Sequence, residues 1–124
     1  MEDRLRQIQL CQLDILKEIV RICSKNGIEY CPAYGTMLGA VRHEGFIPWD
    51  DDLDIYMTME GFRKFRACCK SELASDYFLQ TPKTEPTMGW IYYKMRKNGT
   101  QMLQPWQSTG NKNSHYGIWV DIFH

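Results

Sequence analysis

With 124 residues and a mass of 14.7 kDa, the chain has room for one domain, since domains usually run to ~100–150 residues. A hydrophobic fraction of 44% excludes a disordered chain, and fifteen basic against fifteen acidic residues exclude a nucleic-acid coat or a polybasic membrane binder. The acids are uneven, however: four of the eight Asp residues fall between Asp50 and Asp54.

In chain order, Leu5, Ile8, Gln12, Ile15, Ile19 and Ile22 recur at spacings of three and four, and Asn26-Gly27 closes the helix they predict. Ile28 to Tyr34 reads as a strand, with Pro32 pointing to a sheet edge or bulge. Gly35-Thr36 turns the chain into a short helix over Met37 to Arg42, and His43 to Trp49 is loop. Leu53, Ile55 and Met57 alternate with Asp52, Asp54 and Tyr56, the period of a half-buried strand. Thr58 caps a helix running to about Leu73. Tyr77 to Gln80 is a short strand and Thr81 to Met88 a loop. Trp90 to Arg96 and Thr100 to Leu103 flank Asn98-Gly99, a hairpin signal. After the polar loop Gln104 to Ser114, Ile118, Val120 and Ile122 alternate with Trp119, Asp121 and Phe123 in a last strand.

Five cysteines without a C-x-x-C pair predict reduced, mostly buried thiols. The N-terminus lacks a signal peptide's basic and apolar regions, and no apolar run approaches the ~18 residues a membrane helix needs. The expectation is a cytoplasmic chain without stable membrane insertion. Asn98-Gly99-Thr100 matches a glycosylation acceptor, which such a chain would never use.

Asp52 and Asp54 lie two apart on the predicted strand, so both carboxylates project from one face. Like charges ~4 Å apart repel by ~1 kcal/mol in water and ~4 kcal/mol at a partly buried site. The alternatives are a solvated acidic turn or a bound cation, and the apolar flanks Phe46-Ile47-Pro48-Trp49 and Leu53-x-Ile55 disfavour the turn. An EF-hand is excluded because Ile55 stands where the loop needs Gly, and Gly61 where it needs Glu. What remains is a strand-borne D-x-D suited to Mg²⁺ (or Mn²⁺) on a nucleotide's phosphates. Gly35-Thr36 opens a helix upstream, where backbone N–H groups can bind phosphate. Asp121, flanked by Val120 and Ile122, needs a cation, an Arg or a hydrogen bond, unless it faces water from an edge strand.

The run from Gly35 to Ile55, GTMLGAVRHEGFIPWDDDLDI, closely resembles the signature of the LicD family, bacterial phosphorylcholine transferases related to fukutin. Lys94 to Thr100 and Gly117 to Phe123 extend the resemblance over nearly the whole chain. It implies an α+β fold, a nucleotidyltransferase-like mixed sheet flanked by helices. It also implies a phosphate-contacting turn at Gly35 and Thr36, and metal carboxylates at Asp52 and Asp54 assisted by Asp50. Asp121 would be the third acid, binding a second metal or receiving the acceptor's proton. The implied reaction moves a phosphorylated alcohol such as phosphocholine from a CDP-activated donor to a glycan hydroxyl of lipopolysaccharide or teichoic acid. The alternatives are a nucleotidyltransferase acting on a small acceptor, and a truncated fragment that binds nucleotide without catalysis.

Arg42, Lys94 and Arg96 are candidate phosphate contacts, the last two sharing a strand face that could instead be solvated. His43 could hydrogen-bond the acidic loop, and Trp49 and Trp90 could stack on a base or simply pack. Family members are about twice as long, and the chain stops at His124, just after the last strand. The expectation is therefore one incomplete core domain over residues 1–124. It should expose an apolar patch around Trp119, Phe123 and Trp90 that favours self-association.

Overall fold

The computed structural model describes residues 2–81, 93–102 and 115–124. Helix α1 spans Glu2–Asn26 and ends where Gly27 takes a left-handed φ of 67°, which lets the Ile28 amide reach Cys23 O at 2.9 Å. Strand β1 (Cys31–Pro32) precedes α2 (Tyr34–His43) and β2 (Asp54–Tyr56). Helix α3 (Met59–Glu72) starts on Thr58, whose hydroxyl accepts from the Gly61 amide at 3.0 Å. Strands β3 (Tyr77–Gln80), β4 (Tyr93–Lys97) and β5 (Trp119–Phe123) complete the order.

The five strands form one mixed sheet in the order β1-β2-β5-β4-β3, in which only β2 and β5 run parallel. With three flanking helices, the fold is α+β, as expected. One face is apolar: Leu53, Ile55, Leu79, Met95, Val120 and Ile122 join Ile15, Ile19 and Ile22 of α1 and Phe62 and Phe65 of α3. Burying a side chain of this kind is worth about 1.5–3 kcal/mol, so this layer is the fold's main source of stability. No described helix is long and apolar enough to cross a membrane.

Several local expectations change. The strand expected over Ile28 to Tyr34 shrinks to two residues at the sheet edge, because Pro32 has no amide to donate and Tyr34, at φ 51°, already turns into α2. Gly35 and Thr36 therefore lie inside the first turn of α2 rather than before it. Gly99 does turn the chain at φ 80°, but β4 pairs with β3 and β5, and residues 100–102 form no strand. The Thr100 hydroxyl instead donates to Lys97 O at 2.8 Å and accepts from the Ile118 amide at 2.9 Å. All five cysteines are free, with Cys23 and Cys69 buried, Cys11 and Cys68 half-buried and Cys31 exposed. Burial pushes the Cys23 and Cys69 thiols up to about 11 and about 12, which keeps them unreactive.

Among the described residues, the apolar patch expected around Trp119 does not form. Trp119 is only 4% exposed, and Phe123 packs edge-on against Tyr34, ring centroids 5.0 Å apart. Trp90 lies outside the described residues. Among the described residues, Tyr34, Met37, Leu38 and Val41 form an exposed apolar stripe on α2, with Trp49 beyond it and Leu10, Tyr30, Tyr56 and Met59 exposed elsewhere.

Candidate active site

The second face of the sheet is polar yet buried. Register places Asp54 of β2 beside Asp121 of β5, Asp121 beside Lys94 of β4, and Lys94 beside Gln80 of β3. Asp54 and Asp121 are thus brought together by the parallel β2–β5 pairing, a contact between residues far apart in sequence. Lys94 Nζ lies 2.5 Å from Asp121 Oδ1, and Trp119 Nε1 donates to Asp121 Oδ2 at 3.2 Å. The Lys94 ammonium also sits over the Trp119 ring, 4.5 Å from its centroid.

Electrostatics mark the row as short of positive charge. Burial first, then the charges of Asp121 and Asp52 and a hydrogen bond with Asp121, push the Asp54 carboxyl up to about 7. Asp52 is raised too, by burial and then by Asp51, Asp50 and Asp121, with Lys94 opposing. Lys94 is lowered, because burial outweighs its attraction to Asp121.

The loop leading into β2 adds three more acids. Gly39 holds this loop against α2, since a Cβ there would come within 2.5 Å of Gly45 O and 2.9 Å of Ile47 N. Gly35 leaves room for the Asp50 carboxylate, whose Oδ2 would lie 2.9 Å from a Cβ there. The Asp50 amide donates to Ile47 O at 3.0 Å, and Asp50 Oδ1 accepts from the Asp52 amide at 3.2 Å. Oxygens of Asp50, Asp51 and Asp52 all lie within 4.8 Å of one another. Asp51 was not among the expected ligands, although it stands in the same acidic run. Asp52 precedes the strand rather than sharing it with Asp54, because β2 begins only at Asp54.

Thr36 braces this arrangement. Its hydroxyl accepts from the Asp54 amide at 2.7 Å, tying α2 to the start of β2. Its own amide is engaged with Ala33 O at 3.1 Å, so within the Gly35-Thr36 turn Thr36 offers its hydroxyl rather than its N–H.

The remaining candidates sort themselves by position. Arg96 is buried, donating from Nε to Gln80 Oε1 at 2.8 Å and from Nη1 to Gly117 O at 2.6 Å, with its guanidinium over Trp119. It shares the face of Lys94, as expected. That face is neither solvated nor open to one anion at both cations, because Arg96 is spent holding β3 and the approach to β5. Arg42 is exposed in the last turn of α2, roughly 10 Å along the helix from Gly35 at ~1.5 Å per residue. His43 lies edge-on to Trp49, centroids 6.0 Å apart, with no hydrogen bond to the acids among the described residues. Trp49 is 75% exposed beside the acidic run.

The donor set fits a small hard cation. The converging donors are the carboxylate oxygens of Asp50, Asp51 and Asp52, Asp54 meets Asp121 across the β2–β5 pairing, and the raised carboxyls of Asp52 and Asp54 show that Lys94 does not offset their charge.

Residues 27–123 match the family described as LicD/FKTN/FKRP, nucleotidyltransferase domain. The chain is 40% identical over 119 residues to the lipopolysaccharide cholinephosphotransferase LicD of Haemophilus influenzae, covering 96% of this chain and 43% of that protein. It thus spans less than half the length of that relative. An uncharacterized protein of Rickettsia prowazekii is 54% identical over 41 residues, 33% of this chain and 15% of that one. No solved structure matches. With a match running from Gly27 to Phe123, through the acidic loop and every strand, the chain belongs to the LicD family of nucleotidyltransferase-domain proteins.

Proposed function

We propose that this chain carries the catalytic core of a phosphotransferase, moving a phosphorylated alcohol such as phosphocholine from a CDP-activated donor to a hydroxyl of a cell-surface glycan. The observation that carries the reading is the contact between Asp54 and Asp121 on adjacent parallel strands, with Lys94 next in the row. Asp50, Asp51, Asp52 and Asp54 would hold Mg²⁺ or Mn²⁺, with Asp121 left to take the acceptor's proton. Bound there, the cation would supply positive charge for the donor's phosphates and for the departing oxygen.

The chain's own residues do the rest. Thr36 offers its hydroxyl to a donor phosphate from the α2 start, and Lys94 supplies the fixed ammonium beside the acids. The acceptor oxygen attacks the phosphorus bearing the alcohol, and the bond from that phosphorus to the bridging oxygen of CMP breaks. CMP leaves with the electron pair, and the hydroxyl proton passes to the Asp121 carboxylate. Such chemistry depends mostly on positioning and electrostatics.

The kinship supports the choice of transferred group and acceptor, since the Haemophilus relative's name gives a cholinephosphotransferase of lipopolysaccharide. A cytoplasmic site of action and a teichoic-acid acceptor belong to the same proposal. The test is incubation with CDP-choline, Mg²⁺ and a glycan acceptor, following CMP. CMP release that depends on acceptor and disappears in Asp54→Asn and Asp121→Asn supports the reading. Release of pyrophosphate from a nucleoside triphosphate instead would make the protein a nucleotidyltransferase.

A further inference from the structure

Two glutamines on α1 stand where the helix's apolar stripe should be. Gln9 and Gln12 are 2% and 1% exposed, one turn apart. Their side-chain amides reach across about forty residues of sequence to the acidic loop. Gln9 Nε2 donates to Asp50 O at 2.9 Å, and Gln12 Nε2 donates to Asp51 O at 2.6 Å. Longer contacts run from Gln9 to Ile47 O at 3.5 Å and from Gln12 to Trp119 O at 3.4 Å. The bonds therefore fix two consecutive peptide planes of the loop, and Gln12 also touches the strand that carries Asp121.

The carbonyl partners fix which way each amide is turned, since an oxygen facing Asp50 O or Asp51 O would be repelled. For Gln12 this leaves Oε1 buried without a partner among the described residues. A leucine at this place in the stripe would bring no orphaned oxygen, but it would leave Asp51 O without this donor. The glutamine thus carries a buried unpaired oxygen in exchange for a hold on the loop.

We propose that Gln9 and Gln12 are positioning residues for the acidic loop. By pinning the carbonyls of Asp50 and Asp51 from the helix side, they keep the carboxylates of Asp50, Asp51 and Asp52 converged against their mutual repulsion, in register with Asp54 and Asp121. The inference rests on the metal reading above. Outer contacts of this kind orient metal ligands, and their loss typically costs 10–100-fold in metal affinity.

The experiment uses Gln12→Leu, with Gln9→Leu as the second variant should the first fail to fold, and Asp14→Asn as a control. Asp14 of α1 pairs with Lys97 of β4 and Tyr77 of β3, away from the loop, so its loss perturbs the helix without touching the acids. Hydrogen exchange is followed at the Asp50 and Asp52 amides without metal, and Mn²⁺ affinity is measured by titration. The glutamine variants should exchange at least tenfold faster at these two amides, with α3 unchanged, and should bind Mn²⁺ about tenfold more weakly. The control should do neither. Unchanged exchange, or unchanged Mn²⁺ affinity despite faster exchange, would overturn the positioning role alone. A wild-type chain that binds no Mn²⁺ would overturn the metal reading and this inference together.

Discussion

The two faces of the central sheet both bury side chains along β4 and β5 but are built from opposite chemistry. On one, Ile122 and Val120 of β5 meet Ile19 and Phe65 in a wholly apolar layer. On the other, Asp121 and Trp119 of the same strand lie beside Lys94, Arg96 and Gln80, all nearly shielded from water. Each apolar residue lowers the free energy of the fold by leaving water. Each charge on the opposite face raises it unless something offsets the lost hydration. Lys94 and Arg96 are offset by partners, whereas Asp54 is left partly protonated by its surroundings. One face therefore maintains the fold, and the other concentrates charge that the proposed cation would offset.

Breaking the polar face should have the largest effect. In Lys94→Met, Asp121 loses a side chain 2.5 Å away that is itself only 4% exposed, and breaking a buried pair costs about 3–5 kcal/mol. Thermal melting at pH 8 should show that loss, and millimolar Mg²⁺ should recover much of it. Ile122→Ala on the opposite face should cost a comparable ~2–5 kcal/mol, with no differential recovery by Mg²⁺ beyond the wild-type shift. Equal Mg²⁺ responses in the two variants would dissolve the distinction between the faces.

The pH dependence is subtler. Asp54 holds its proton up to about 7 in the folded chain, against 3.8 ordinarily, so between these values the native state binds more protons than the unfolded one. Its contribution to stability is therefore present below pH 3.8 and lost as pH rises through about 7. Metal-free wild type should melt lower at pH 8 than at pH 5.5, and Asp54→Asn should flatten that difference. The smallest expected effect is Thr58→Ala, which removes the α3 cap for ~1 kcal/mol and should leave metal binding untouched.

The apolar face was the more legible in sequence. The helical spacing of Ile15, Ile19 and Ile22 and the alternation of Val120 and Ile122 follow from local periodicity, which survives folding unchanged. The acids were equally visible as a run. Their sorting was not: whether Asp52 belongs to a strand depends on where β2 finds a partner, and that partner, β5, lies some seventy residues away. The burial of Trp119 and Arg96 was hidden for the same reason, because Gln80 and Gly117 approach Arg96 only through the sheet order. Asn98-Gly99 made its turn, but turn chemistry says nothing of which strands flank the result. The glutamines did leave a local trace. Gln12 breaks an otherwise apolar stripe, and a polar residue at a core position must find a partner somewhere.

Donor binding with and without metal probes the central claim most directly. Titration of the wild-type chain with CDP-choline should show binding that requires Mn²⁺ or Mg²⁺ and is lost in Asp54→Asn, with the variant folded at least as stably as the parent. Binding indifferent to the cation, or retained in Asp54→Asn, would contradict the assignment of the acidic row to a metal-held nucleotide donor.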